Sequence, residues 1–90
     1  MEEKLIKQIQ QILTEWNPLK GQFQSVKDLD NYRTEAIDII FNLEMEDKIS
    51  ASTVQKITRE VINEAFNLYM TKQDCKDASA QIYTAIKKKV

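Results

Sequence analysis

Glu35 and Asp38 are the side chains whose types and spacing come nearest to a catalytic motif in this sequence. Three residues apart on a helix, their two carboxylates can hold a divalent cation from one helix face. A bound cation of this kind would suit the hydrolysis of a phosphate compound. Both positions lie away from the apolar stripe of their helix, so the pattern favours a solvent-exposed face over a metal site.

A metal-dependent phosphohydrolase of the all-helical pyrophosphatase kind is therefore the enzymatic alternative. Enzymes of that kind combine an E-x-x-D pair with a second acidic cluster on a preceding helix. The preceding helix here offers only Glu15 and, at its start, Glu2 and Glu3. Glu60 and Glu64 come later in the chain and are four residues apart, so both the order and the spacing depart from that arrangement. We predict that the protein is not an enzyme, with no catalytic residues, no metal ligands and no cofactor.

Other side chains with catalytic potential are few. The chain has no histidine and one cysteine, which removes the commonest general base and the pairing of a nucleophile with histidine. Cys75 falls on the apolar stripe of its helix, where a cysteine is typically a small buried hydrophobic residue. Three consecutive lysines in the last turn complement the dipole of a helix C-terminus and are typical of a solvated end: Lys87, Lys88 and Lys89.

Charge is distributed unevenly, although the formal net charge of the chain is only −1. Residues 28–47 carry seven acids and one arginine, a net charge of −6, whereas residues 71–90 carry a net charge of +3. An acidic surface of this density attracts basic proteins and repels nucleic acids. The alternative is that the acidic segment only balances the basic C-terminal helix within the fold.

The acidic segment also contains two apolar residues, Ile37 and Phe41, that lie to one side of the main apolar stripe. Such a pair predicts either contact with two neighbouring helices or an exposed patch. In the second case Phe41 or Ile37 would be a buried anchor in a complex, with the acids around it. The predicted partner-binding residues are Asp28, Asp30, Glu35, Asp38, Phe41, Glu44, Glu46 and Asp47.

An all-α fold is predicted, because apolar residues recur every three or four positions along most of the chain. Ninety residues are enough for one small domain, residues 1–90, built as a four-helix bundle-like array. A loop that contains Pro18 and Gly21 follows the first helix, since a proline disfavours helical backbone in the residue before it. The helices are expected at roughly 2–16, 29–45, 51–70 and 73–88.

Short polar residues mark where three of these helices begin. Asp28 or Asp30 can cap the second helix. The third has two overlapping signals, because Ser50 would pair Ile49 with Val54 as a hydrophobic staple while Ser52 and Gln55 form a capping box. The fourth is expected to begin near Thr71 or Asp74.

The composition places the chain among small cytoplasmic proteins. A single cysteine cannot form an internal disulfide, which is typical of a reducing compartment. Its first residues lack a signal-peptide pattern, and no apolar run approaches the length that spans a bilayer. We therefore expect a cytoplasmic protein that binds neither a membrane nor a nucleic acid.

Three short strings resemble the YugE-like family, a domain of unknown function found in small bacterial proteins. They are Trp16-Asn17-Pro18-Leu19, Tyr32-x-x-Glu35-Ala36-x-Asp38-Ile39 and Cys75-x-x-Ala78. The resemblance implies an all-helical fold of about this length and a bacterial origin, and the family carries no established activity. Asn17 stands where the family pattern has an aspartate, and Lys20 separates Leu19 from Gly21.

Taken together, these patterns predict a non-enzymatic binding protein that acts through an acidic helix face. Its partner is expected to be another protein, one with a basic surface. A concrete version is an immunity protein that neutralises a bacterial toxin. The other open alternatives are the metal-dependent phosphohydrolase and a structural homodimer.

Overall fold

Four helices make up the fold in the computed structural model, which describes residues 3–16 and 32–89. They are α1 (Glu3–Trp16), α2 (Arg33–Glu44), α3 (Ala51–Phe66) and α4 (Lys72–Lys89). The all-α prediction is confirmed. The predicted loop with Pro18 and Gly21 falls outside the described residues, as do Asp28 and Asp30.

The core forms where the apolar stripes of all four helices meet. The first helix buries Leu5, Ile6, Ile9 and Leu13, the positions at which its helical stripe was predicted. Ile12 and Trp16 complete that stripe and are partly buried against the core. The other helices contribute buried apolar side chains at corresponding positions: Ala36, Ile39, Ile40, Leu43, Val54, Ile57, Ile62, Cys75, Ala78 and Ile82.

The second helix begins later than the sequence predicts. It starts at Arg33. The residue before it, Tyr32, has a left-handed backbone conformation with φ 65°. A left-handed bulky residue interrupts a helix, and such a conformation persists only where its surroundings hold it. The Tyr32 ring is 7% exposed and packs edge to face on Phe66 of α3. α2 therefore begins four residues after the predicted residue 29, and the predicted caps Asp28 and Asp30 lie outside the described residues.

The third helix starts as predicted but ends earlier. Ser50 is its N-cap and accepts a hydrogen bond from the Thr53 amide at 3.2 Å, so the first of the two predicted start signals is the one used. Asn67 then takes a left-handed C-cap conformation with φ 55°, which asparagine tolerates better than most residues. The predicted extension to residue 70 is wrong, and Tyr69 is 90% exposed.

A short connection leads from α3 back along its own surface to α4. The Asn63 side chain accepts from the Met70 amide at 2.8 Å and donates to the Met70 carbonyl at 3.2 Å. Closer to the start of α3, the side-chain amide of Gln55 donates a hydrogen bond to the Lys72 carbonyl at 2.7 Å. Thr71 and Asp74 then cap α4 reciprocally, each side chain accepting from the amide of the other. α4 therefore begins beside the first turns of α3.

The helices contact each other in a ring, α1 with α2, α2 with α3, α3 with α4 and α4 with α1. Arg33 donates to the carboxylate of Glu3, so α1 and α2 begin at the same end of the ring. The contact of Tyr32 with Phe66 brings the end of α3 to that same end. α1 and α2 therefore begin at the end of the ring where α3 ends.

Candidate functional site

Four of the predicted acidic residues are exposed along α2 and in the connection that follows it. They are Asp38, Glu44, Glu46 and Asp47. None of them forms an ion pair within residues 3–16 and 32–89, where Glu3 and Arg33 are the pair observed. Their negative charge is therefore not neutralised by a neighbouring cation of the described fold, and it is directed to solvent.

Glu35 does not belong to this exposed surface. It is 7% exposed, although the sequence places it on a solvated face. The reason is its position 40° from Ile39 around the helix, at the border of the apolar stripe. Glu35 also lies in the first turn of α2, where the helix dipole stabilises a carboxylate. The prediction that Glu35 lies on an exposed face is wrong.

Large apolar side chains are exposed among the acids. Phe41 is 56% exposed, Met45 71% and Ile49 38%. Phe41 and Met45 are four residues apart, so their side chains are neighbours on the helix surface. Ile37 lies one turn before Phe41 and is partly buried against the core. Of the two outcomes predicted for Ile37 and Phe41, the exposed patch is confirmed for Phe41.

Acids flank the exposed apolar side chain of Phe41 on both sides. Asp38 and Glu44 lie three residues before and after Phe41, which places them about 60° to either side of it around the helix axis. The Asn42 side chain donates to the backbone carbonyl of Asp38 at 2.7 Å, so the Asp38 carboxylate is not used by that bond. We call the surface formed by the following residues the acidic-apolar face: Asp38, Phe41, Glu44, Met45, Glu46, Asp47 and Ile49.

Met45 and Ile49 were missed as candidate residues by the sequence reasoning. The segment from Glu44 to Ser50 is dominated by polar residues and was interpreted only as the end of a helix. The available signal was the spacing of Met45, which repeats the four-residue interval from Ile37 to Phe41. Met45 therefore extends the line formed by Ile37 and Phe41 by one more helical turn.

The E-x-x-D pair does not form an open metal site. Glu35 is buried and Asp38 is exposed, so the two carboxylates differ in their access to solvent. Among residues 3–16 and 32–89, there is no group of three or more Asp, Glu, His or Cys side chains arranged to hold a metal ion. A third protein ligand is therefore absent from the described part of the fold.

Cys75 is fully buried in the core, as its position on the apolar stripe predicts. Burial raises the pKa of its thiol, Asp74 raises it further, and the positive charge of Arg59 lowers it. A buried thiol with a raised pKa is a poor nucleophile at neutral pH. Its role is to fill the interface between α4 and the rest of the core.

At the other end of α4, the Lys87 ammonium lies 5.3 Å from the centre of the Tyr83 ring. This cation–π contact is consistent with the predicted solvated helix end, where a lysine side chain lies along an aromatic surface. Within the described ranges, no helix combines the length and the apolar character that a membrane span requires.

Comparisons with known protein families, with curated proteins and with solved structures found no match to this chain. The resemblance to the YugE-like family therefore stays a prediction.

Proposed function

We propose that this protein binds another protein, one with a basic surface, through its acidic-apolar face. The observation that carries the proposal is the exposure of Phe41 and Met45 between four acids that have no ion-pair partner in the described fold. A clustered apolar surface with a polar rim is typical of an interaction site. The opposite charge of a basic partner would complement that rim.

The two kinds of side chain would have different roles in such a complex. Phe41 and Met45 would supply most of the binding energy, because large apolar side chains at the centre of an interface are the common hot spots. The acids Asp38 and Glu46 would act mainly on association, since charges at the rim raise the rate of encounter. This division predicts that the apolar substitutions affect dissociation and the acidic ones affect association.

An immunity protein is the narrower form of this proposal. A protein that neutralises a basic toxin needs a concentrated negative surface to capture it quickly, and an apolar anchor to retain it. The acidic-apolar face has both features on one helix and its following connection. A toxin gene next to the gene for this chain would support the narrower form.

The experiment begins with site-specific photo-crosslinking in the source organism. A photoreactive residue replaces Phe41 in one variant and Tyr69, which is 90% exposed on another surface, in a control variant. We expect a basic protein to be crosslinked at position 41 and not at position 69. The crosslinked protein is then identified, purified and used in rate measurements.

Stopped-flow association with that purified protein tests the roles of the acids. The double variant Asp38→Lys, Glu46→Lys is expected to associate at least about tenfold more slowly at low salt, with a weaker dependence on salt. Reversal of two exposed acids on α3, Glu60→Lys and Glu64→Lys, is the matched control and is expected to have a smaller effect. Equal rates for both double variants would refute the acidic-apolar face as the binding site.

Phe41→Ala is expected to weaken the same complex by about thirtyfold, mainly through faster dissociation. If the protein crosslinked at position 41 is a second copy of this chain, the structural homodimer replaces the proposal. Light scattering over a range of concentrations then measures the dimer directly.

A further inference from the structure

A cavity of about 300 Å³ lies where α3 and α4 begin. Three of its six lining residues are cationic, and none is a carboxylate. The lining residues are Ser52, Thr53, Gln55, Lys56, Arg59 and Lys72. The lining therefore has three cationic side chains and no acid, in a chain whose formal net charge is −1.

Arg59 has a donor that the described fold does not satisfy. Its Nε–H group is buried, and no acceptor lies within hydrogen-bonding distance of it. A guanidinium group presents five N–H donors in a planar arrangement that matches the oxygens of phosphate and carboxylate groups. Burial of such a donor without an acceptor is costly, and the guanidinium group that carries this donor belongs to a residue that lines the cavity.

The beginning of α3 adds to the positive potential. Ser50 is its N-cap. The Ser50 side chain accepts a hydrogen bond from the Thr53 amide, and the Ser50 carbonyl accepts one from the Val54 amide. Ser52 lies in the same first turn and lines the cavity. The partial positive charge of a helix N-terminus favours an anion beside this turn.

Lys72 is held at the cavity by its backbone. The hydrogen bond from the Gln55 side chain to the Lys72 carbonyl fixes the start of α4 against α3. The two hydrogen bonds between Asn63 and Met70 fix the connection that precedes it. Because the backbone is positioned in advance, closing the ammonium group on an anion orders only the side chain.

We propose that this cavity binds the phosphate group of a small phosphorylated molecule. The three cations supply the charge, Arg59 supplies paired donors, and the hydroxyl group of Ser52 supplies a further one. A volume of about 300 Å³ is at the lower end for ligand pockets, so it suits a small phosphomonoester better than a large ligand. This site does not depend on the acidic-apolar face, whose acids are not among the lining residues.

Nitrogen-15 NMR titration of the full chain tests the site with two probes, inorganic phosphate and glycerol 3-phosphate. We expect saturable shifts of the Arg59 Nε–H signal and of the Ser52 and Thr53 amides. Tighter binding of glycerol 3-phosphate would identify a phosphomonoester site, and equal or tighter binding of phosphate would identify a site for the free ion. Absence of saturable shifts with both probes would overturn the proposal.

Charge-removing variants then locate the site. Arg59→Gln and, separately, Lys72→Gln are expected to raise the dissociation constant of the better probe by about tenfold or more. Lys72→Gln keeps the test informative if Arg59→Gln does not fold, because Lys72 is exposed. The matched control is Lys4→Gln on α1, an exposed lysine that does not line the cavity. An equal loss of affinity in Lys4→Gln would show non-specific attraction and would refute the site.

Discussion

The ring of Tyr32 meets the ring of Phe66 edge to face, with 5.8 Å between the centroids and 77° between the planes. This contact joins the residue before α2 to the last residue of α3. Edge-to-face pairs are stabilised by the opposite partial charges of ring edge and ring face. The contact also holds Tyr32 in its left-handed backbone conformation, which carries an energetic cost for a bulky residue.

A double-mutant cycle measures this contact. Tyr32→Leu and Phe66→Leu are each expected to lower the free energy of unfolding, and their coupling energy is expected to be about 1 kcal/mol. Urea denaturation of the four proteins gives the value. Tyr69→Leu with Phe66→Leu is the control cycle, because Tyr69 is 90% exposed, and it is expected to be additive within about 0.5 kcal/mol. Full additivity in the Tyr32 cycle would contradict the assigned role of the ring contact.

The ion pair of Glu3 and Arg33 predicts a local dependence on pH. The hydrogen bond from Arg33 is the largest cause that lowers the pKa of Glu3 in the folded state, and Lys7 adds a smaller effect in the same direction. A lowered pKa means that the folded state favours the ionised carboxylate, so the contribution to stability is present above the unfolded-state pKa. It is lost as the pH falls through the lower, folded-state pKa.

We therefore expect Arg33→Gln to raise the pKa of Glu3 toward its ordinary value, as measured by NMR of the side-chain carboxyl carbon. The shift should shrink at high salt, because both side chains are partly exposed and solvent ions screen the pair. Lys4→Gln removes a charge that has no contact with Glu3 among the observed ion pairs, and it is the control. A Glu3 pKa that does not change in Arg33→Gln would rule out the pair in solution.

The sequence predicts those parts of the fold that depend on local pattern. The spacing in α1 identifies Leu5, Ile6, Ile9 and Leu13, and all four are buried. Ser50 caps α3 by a bond to a residue three positions away, which is also local. Helical periodicity and capping act within a few residues, so they can be recognised without knowledge of the rest of the fold.

Features that depend on distant contacts were not predictable in this way. Tyr32 precedes α2 in a left-handed conformation, and its ring packs on Phe66, 34 residues later. The burial of Glu35 depends on which neighbours pack beside the edge of the α2 stripe. The cavity of Arg59 and Lys72 exists because α4 starts beside the first turns of α3. These residues are separated in sequence, so no spacing rule relates them.

Thr58 gives a prediction of increased stability. Its side chain is fully buried, and its hydroxyl oxygen has no hydrogen-bond partner among residues 3–16 and 32–89. Replacement of an unsatisfied buried hydroxyl by a methyl group of similar size removes the cost of burial without that bond. We expect Thr58→Val to raise the free energy of unfolding by about 1 kcal/mol, measured by urea denaturation.

Thr53→Val is the matched control for that substitution. The Thr53 hydroxyl lies 3.0 Å from the Ser50 hydroxyl, and the residue is only partly buried. The same change there removes a hydrogen bond beside the α3 N-cap, so we expect lower or unchanged stability. A stabilising effect of equal size at both positions would point to the valine itself and contradict the explanation for Thr58.

The burial of Cys75 predicts a thiol that is protected from reagents in the folded protein. Because its pKa is raised by burial, the folded state favours the neutral thiol, and the stability that this gives is present below the unfolded-state pKa. As the pH rises above the pKa of the thiol in the unfolded state, ionisation of the unfolded chain favours unfolding. The contribution of the thiol to stability is fully lost once the pH exceeds its higher pKa in the folded state. The rate of reaction with a disulfide reagent is therefore expected to follow the opening of the fold.

The rate of reaction with such a reagent is measured by stopped flow at pH 8. We expect the folded protein to react at least about a hundredfold more slowly than the urea-unfolded chain, because opening a folded core typically costs several kcal/mol. Ile82→Ala, which leaves a cavity in the core beside the fully buried stripe of α4, should accelerate the reaction by lowering the opening free energy. Lys76→Gln changes an exposed neighbour of Cys75 and should leave the rate within about twofold, as surface substitutions usually alter stability by less than about 0.5 kcal/mol. Reaction as fast in the folded protein as in the unfolded chain would show that Cys75 is accessible, which its complete burial excludes.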